Sequence, residues 1–310
     1  MVIKKTKKVK KSTGEIIPKP SKIKEVAPLE KLLQKSDVLL MLYSKNKKGY
    51  FYYSIEPEDE ITVYELLKEN KTEKKSLLIL LDTSGGNVYS ATKIMDTLRC
   101  FYDNITIAIP QEAKSSGTMM CCGADKLIMS SISELGPLDK PMAHPDDETA
   151  QISALDIVKS IDGMINMAMN KQKEFAKDLK SENSLTPQKS LEIAGNSVSQ
   201  LISPMLCRED VKIYNQAKRL LAIAETYGSE FLKDNMLKYI KNDKLRDKIS
   251  HMTIRQLVWL YPDHAFAIRR KELRDWFFII EDAEKVDYWD ELWKEYKKTI
   301  GSSGKVIKFI

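Results

Sequence analysis

Two short loops carry residue types that could act together on a carbonyl group. The first, residues 82–87 (Asp-Thr-Ser-Gly-Gly-Asn), holds the pair Gly85 and Gly86. Paired glycines let the backbone approach a ligand closely and direct N–H groups at it. The second, residues 113–118 (Ala-Lys-Ser-Ser-Gly-Thr), offers Ser115 as a nucleophile. The N–H groups that follow such a serine at a helix start can stabilise an oxyanion.

The elements around these loops are expected to bring them together. The continuous apolar run of residues 76–82 predicts a strand buried on both faces, as in a parallel sheet. Strands alternating with helices predict βαβ units. Both loops then lie at the carboxyl ends of adjacent strands, where open sheets build their sites. The further elements predicted here are a helix over 88–101, a strand over 105–110, a helix over 118–124 and a strand over 126–130.

The rest of the chain is predicted to hold two helices and two strands before this unit and to be mostly helical after it. Trp289 and Trp293 share one face of the last helix, a spacing typical of core or interface packing. The predicted elements are helices over 29–36 and 61–68, strands over 38–43 and 50–55, helices over 157–179, 187–201 and 208–240, mixed structure over 253–273, and an amphipathic helix over 282–298.

The composition of the 310 residues argues for a folded protein with a basic tail. Hydrophobic residues make up 43% of the chain, too many for a disordered protein. Residues 1–24 hold nine lysines against Glu15 and carry +8, so the remainder sums to −2 within a total of +6. A broad nucleic-acid-binding face is therefore not indicated. The tail itself is expected to be solvated, with attraction to an acidic membrane surface or to nucleic acid as the alternative.

The cysteines and the hydropathy pattern point to a soluble cytoplasmic protein. The four cysteines show neither CxxC nor Cys/His spacing, so we predict no metal site and a reducing compartment. The apolar runs have strand length, well below the ~18–20 residues of a membrane helix. No transmembrane segment and no secretory signal are expected.

The combined motifs resemble those of a known family. The two loops, followed by residues 133–139 (Ser-Glu-Leu-Gly-Pro-Leu-Asp), are similar to the serine dehydrogenase proteinase family. That family is related to Clp-type and signal-peptide-peptidase serine peptidases with a ClpP/crotonase-like fold. The likeness is specific from Leu77 to Pro141 and looser as far as Leu273, and it leaves out the tail and the last 35 or so residues.

The resemblance implies a role for individual residues. Ser115 corresponds to the nucleophile, while Gly85, Gly86 and the N–H of Ser116 correspond to the oxyanion hole. Asp139 and His264 complete a triad in the order Ser-Asp-His, exchanged relative to Clp peptidases. No metal or organic cofactor is implied.

The residues themselves leave some of these roles open. Ser115 could be only a helix cap, Ser116 is the rival nucleophile, and Asp139 could cap a turn. A serine needs a base, and a neutral histidine held by a carboxylate is the usual one. His264 competes for this role with His144 and with a lysine such as Lys114, which is expected to point away. His264 could also pack beside its neighbour Phe266.

The domain prediction follows from these segments. We expect a basic disordered tail (1–28), a ClpP/crotonase-like α/β core (29–142), a helical extension (143–250) and a C-terminal segment completing the core (251–310). The expected function is a serine endopeptidase acting on peptides or proteins as a homo-oligomer. The rival functions are a crotonase-like acyl-CoA enzyme and a catalytically silent scaffold.

Overall fold

The computed structural model describes residues 27–43, 53–139, 141–144, 147–183, 185–300 and 304–310. The predicted basic tail falls, up to residue 26, outside the described residues, as do residues 50–52 of the predicted strand over 50–55. The strands are β1 (Asp37–Tyr43), β2 (Ser76–Asp82), β3 (Asn104–Ile109), β4 (Glu112–Ala113), β5 (Lys126–Met129), β6 (Glu134–Leu135), β7 (Pro141–His144), β8 (Asp147–Ser153), β9 (Ile268–Arg269), β10 (Ile280–Asp282) and β11 (Lys305–Phe309). The α-helices are α1 (Pro28–Leu33), α2 (Pro57–Asn70), α3 (Val88–Phe101), α4 (Ser116–Cys122), α5 (Ala154–Asn183), α6 (Pro187–Leu206), α7 (Val211–Asp234), α8 (Asp243–Trp259), α9 (Arg270–Asp275) and α10 (Trp289–Ile300).

A six-stranded sheet in the order β10-β5-β3-β2-β1-β11 forms the centre of the fold. Its strands run parallel except β11, which pairs antiparallel with β1 at one edge. The central strand β2 is buried from Leu77 to Asp82, which explains its unbroken apolar run. The α/β class and the βαβ order predicted from the sequence are confirmed.

Helices cover both faces of this sheet. Helices α3, α4, α7 and α8 pack their buried apolar residues on one face. The other face is covered by α10 and α1, and Trp289 lies there in the core with its ring centroid 6.0 Å from that of Trp293. The tryptophan pair therefore packs against the sheet, one of the two roles predicted for it.

A second, small sheet ties the loops of the core to a late part of the chain. Strand β6 pairs with β4 on one side and with β9 on the other, so that Leu135 lies between Ala113 and Ile268. An isolated bridge joins Thr83, just after β2, to Ala113. These pairings hold the segment before Ile268 next to the two loops that follow β2 and β3.

Several predicted boundaries are wrong, and pairing between distant segments explains them. The last helix begins at Trp289 rather than residue 282, because residues 280–282 form β10 and add a strand beside β5. Residues 253–259, predicted as mixed, continue α8, whose Ile254 and Leu257 are buried in the core. The hairpin β7–β8 precedes the long helix α5, and β11 follows α10; neither was predicted. Of the predicted strand over 50–55, Ile55 makes a single bridge, to Gly86.

The helical region after residue 153 contains α5, α6 and α7, each at least as long as predicted except α7, which ends at Asp234 rather than 240. Throughout the part of the chain that the structure describes, no helix combines the length and the apolar character needed to cross a membrane.

Candidate active site

Ser115 occupies a strained turn between β4 and α4. Its backbone angles, φ 51° and ψ −112°, lie in a region that side-chain-bearing residues rarely adopt. Helix α4 begins at the next residue and is buried along its whole length. Gly117 allows this close packing, because a Cβ there would lie 2.6 Å from Thr83 Cγ2. The surrounding packing therefore holds the turn in its strained form.

The Ser115 hydroxyl has no structural task at this turn. Although Ser115 stands at the N-cap position of α4, its side chain makes no capping hydrogen bond. Its Oγ donates a long bond of 3.4 Å to the main-chain oxygen of Asp139 and lines a cavity of about 670 Å³. The Ser115 side chain therefore does not cap helix α4, which was the structural alternative to a role as nucleophile.

The glycine loop lies against Ser115. A Cβ on Gly85 would be 3.0 Å from Ser115 Cβ, and both glycines have positive φ, 119° and 143°. Gly86 is clamped on the main chain of Ile55, which donates to Gly85 O (2.9 Å) and accepts from Asn87 N–H (2.7 Å). Only glycine fits this approach, since a Cβ on Gly86 would lie 2.3 Å from Ile55 O.

Two main-chain N–H groups beside Ser115 are unpaired within the described residues. The N–H of Gly85 is occupied, since it donates to Thr83 Oγ1 at 3.0 Å. Those of Gly86 and Ser116, by contrast, find no acceptor in the described chain. Free N–H groups next to a nucleophile are what an oxyanion requires. Of the glycine pair predicted to donate, Gly86 is the one whose N–H is available.

The rival nucleophile Ser116 is enclosed by protein. It is 1% exposed, its Oγ has no partner among the described residues, and it does not line the cavity. A substrate entering the cavity would therefore meet Ser115 and not Ser116.

Asp139 lies beside His264, and His264 lines the same cavity as Ser115. Asp139 is buried, and its carboxylate accepts a hydrogen bond from Ser153 Oγ (2.5 Å) and another from the N–H of Leu155 (3.1 Å). His264 Nδ1 lies 3.7 Å from Asp139 Oδ2 and has no hydrogen-bond partner among the described residues. His264 lines the cavity with Ser115, while Phe266 stacks on Tyr261 at 4.9 Å instead.

The other candidate bases are placed differently. The Lys114 ammonium pairs with Glu134 (2.7 Å), donates to Ala265 O (3.2 Å) and does not line the cavity. His144 ends strand β7, and its side chain lies outside the described residues. Lys114 thus links the nucleophile turn to the loop that carries His264.

Some residues at the site escaped sequence reasoning. Ile55 clamps the glycine loop, Thr83 orients Gly85, and Ser153 binds Asp139. Ile55 and Ser153 belong to no motif and reach the site through contacts with residues distant in sequence. Thr83, two residues before Gly85 in the glycine loop, is the only one of the three with a local signal.

The chemistry available at the cavity is acyl transfer. A hydroxyl, two free N–H groups and an imidazole beside a carboxylate are the parts that nucleophilic attack on a carbonyl needs. Among the described residues, no group of three or more His, Cys, Asp or Glu is arranged to hold a metal ion.

Comparison with known proteins finds a serine proteinase family. The sequence pattern of the ClpP-like SDH-type serine proteinases matches residues 19–181, just over half of the chain. An uncharacterized protein of Methanocaldococcus jannaschii is 30% identical over 131 residues, which span 41% of this chain and 43% of that relative.

Two solved structures share weaker likeness. A mutant of the 1510-N membrane-bound stomatin-specific protease is 14% identical, with a TM-score of 0.29 over 45% of this chain and 64% of that one. A mutant ClpP1 from Listeria monocytogenes is 12% identical, with a TM-score of 0.27 over 53% of this chain and 81% of that one.

Proposed function

The chain belongs to the ClpP-like SDH-type serine proteinase family, and on that premise we propose that it hydrolyses peptide bonds internally, with Ser115 as the nucleophile. The observation that carries the proposal is the strained turn at Ser115. It presents a hydroxyl that caps no helix to a cavity, near two main-chain N–H groups that have no acceptor among the described residues. Strain of this kind persists where the surrounding structure enforces it, and it is concentrated at active sites.

In the proposed first step, Ser115 Oγ attacks the peptide carbonyl carbon. His264 accepts the hydroxyl proton, while the Asp139 carboxylate, 3.7 Å from Nδ1, orients the ring and stabilises its charged form. The N–H groups of Gly86 and Ser116 hold the oxyanion. Collapse of the tetrahedral intermediate breaks the C–N bond, and the amine leaves with the proton from His264.

In the second step, water replaces the amine. His264 takes a proton from the water as its oxygen attacks the acyl carbon. The ester bond to Ser115 then breaks, and the proton returns to Oγ. The overall reaction is peptide plus water giving a carboxylic acid and an amine, and it needs no cofactor.

The two rival functions fit the cavity less well. An acyl-CoA enzyme needs no serine nucleophile and binds a ligand with several phosphates, whereas the cavity is lined by Glu56, Asp156 and Asp263 without a lysine or arginine among the described residues. A silent scaffold would have no use for a strained Ser115 backbone.

We further propose that the protein works as a homo-oligomer in the cytoplasm. Helices α5 and α6 expose apolar side chains such as Met169, Leu201 and Met205, which could pack against another copy. All four cysteines are unpaired, as is usual in a reducing compartment. Sedimentation at micromolar concentration tests the assembly, and a single species at the 35.5 kDa mass of one chain would refute it.

The decisive comparison is peptide hydrolysis by the wild-type protein and two serine variants. Ser115→Ala should abolish hydrolysis and leave the fold unchanged by circular dichroism. Ser116→Ala is the matched control, because it removes the neighbouring hydroxyl. Activity that survives in folded Ser115→Ala overturns the assignment, and loss of activity in Ser116→Ala alone would move the nucleophile by one residue.

A further inference from the structure

The cavity beside Ser115 carries an excess of negative charge. The described residues that line it include three carboxylates, Glu56, Asp156 and Asp263, but no lysine or arginine. The site itself is defined independently of these acids, by the Ser115 turn and by the free N–H group of Gly86. The acids therefore bear on what the site accepts and not on where it is.

Two of the carboxylates are sequence neighbours of residues that build the site. Glu56 is the neighbour of Ile55, whose main chain clamps Gly86. Asp263 is the neighbour of His264. Both acids thus line one cavity, each one residue away in sequence from a group that builds the site.

The third carboxylate comes from the helical region. Asp156 lies in the first turn of α5, and its N–H donates to Ser153 Oγ at 3.0 Å. Ser153 in turn donates to the Asp139 carboxylate. Asp156 is exposed and lines the same cavity as Glu56 and Asp263.

No cation among the described residues neutralises these three groups. Ser54 Oγ donates a hydrogen bond to Glu56 (3.0 Å), and the N–H of Ala265 donates one to Asp263 (2.6 Å). These uncharged donors orient the two carboxylates but do not neutralise their negative charge. The nearby Lys114 ammonium is already paired with Glu134. A cavity lined by one sign of charge attracts ligands of the other sign.

We infer that the cavity selects peptides with lysine or arginine flanking the bond that is cut, and disfavours acidic ones. The inference rests on the proposed peptidase function. Each exposed ion pair changes affinity by up to about fivefold, so several carboxylates acting on flanking cations should give a preference of roughly tenfold. Because such charges are screened, the preference should shrink as salt is added.

The test uses internally quenched octapeptides that differ only in two residues flanking a central Ala-Ala, set to lysine, norleucine or glutamate. Mass spectrometry locates the cut. We expect kcat/KM to fall in the order lysine, norleucine, glutamate, with a lysine-to-norleucine ratio of roughly ten at low salt that declines at higher ionic strength.

Charge-removing variants assign the preference to the cavity. Asp156→Asn and Asp263→Asn should each lower the lysine-to-norleucine ratio by up to about fivefold. Asp178→Asn is the matched control, since it removes the same charge from α5 at a position 22 residues farther along, about 33 Å by helix rise. It should leave the ratio unchanged.

The possible results distinguish a failure of the charge preference from a failure of the peptidase function. If the wild-type protein cuts the peptides without preferring lysine, or if Asp178→Asn lowers the ratio as much as Asp156→Asn, this inference fails while the peptidase function stands. If the wild-type protein cuts none of them and Ser115 does not react with a fluorophosphonate, the proposed function fails and this inference with it.

Discussion

Replacing Gly86 with alanine tests the oxyanion hole more finely than removing the nucleophile does. An added Cβ would lie 2.3 Å from Ile55 O and 2.4 Å from Ile55 N, against about 3.5 Å for a comfortable contact. The backbone at φ 143° would also be strained, at about 1–3 kcal/mol. The loop must therefore move by about 1 Å. This movement strains the two main-chain hydrogen bonds that Ile55 makes with Gly85 and Asn87, each worth about 1 kcal/mol.

Gly86→Ala should lower both the stability of the fold and the rate of catalysis. We expect Gly86→Ala to lower the unfolding free energy by about 2–4 kcal/mol, which a stable domain can survive. Because the Gly86 N–H would no longer face the oxyanion, kcat should fall by about 10²–10³-fold, the usual effect of losing one such donor.

The assay measures kcat on a cleaved peptide, corrected for the folded fraction from urea unfolding. Gly163→Ala is the matched control: it adds the same methyl group on an exposed face of α5, where a Cβ meets no atom within 4 Å. It should keep full activity and gain up to about 1 kcal/mol of stability. Folded Gly86→Ala with kcat within tenfold of wild type would refute the role given to this N–H.

Three further predictions concern the base, its loop and the acid stability of the fold. His264→Ala should lower kcat/KM by several orders of magnitude, and Asp139→Asn should lower it nearly as much. An unchanged rate in folded His264→Ala would end the triad assignment. Lys114→Met removes the hydrogen bond from the Lys114 ammonium to the main-chain oxygen of Ala265, beside His264, and should lower kcat/KM about tenfold. Lys114→Arg should recover part of this loss. A wild-type rate in Lys114→Met would show that this link is not needed. Burial alone would raise the pKa of Asp37, but the hydrogen bonds from Lys74 and Tyr102 outweigh it and hold that pKa below its usual value. The stability that the ionised Asp37 contributes is therefore full above about pH 4 and is lost as the pH falls through the lowered pKa. Lys74→Met should therefore lower the unfolding free energy by about 1–3 kcal/mol at pH 7 and flatten its decline below pH 4, and equal acid profiles for the two proteins would contradict this.

The parts of the fold that sequence reasoning predicted correctly are those with strong local signals. The apolar run of β2 and the helical period of α3 mark their own bounds, and the loop between them is identifiable from its glycines. The missing parts depend on pairing across the chain. Strand β10 and strand β11 are short, and each exists because it adds to an edge of a sheet built from earlier residues.

The candidate site shows the same division. Ser115 and Gly86 can be recognised from their loops, but the occupation of the Gly85 N–H by Thr83 is visible only in three dimensions. The proximity of His264 to Asp139 depends on the pairing of β6 with β9, which joins residues more than 130 apart in sequence. No local pattern could have supplied that contact.

Covalent labelling of the nucleophile tests the central claim most directly. The wild-type protein is incubated with a fluorophosphonate, digested, and analysed by mass spectrometry for the modified residue. A reactive serine held next to a base and an oxyanion hole should form a single adduct on Ser115, whereas Ser115→Ala should form none and Ser116→Ala should still react. An unlabelled wild-type protein, or an adduct on any other serine, would contradict the account.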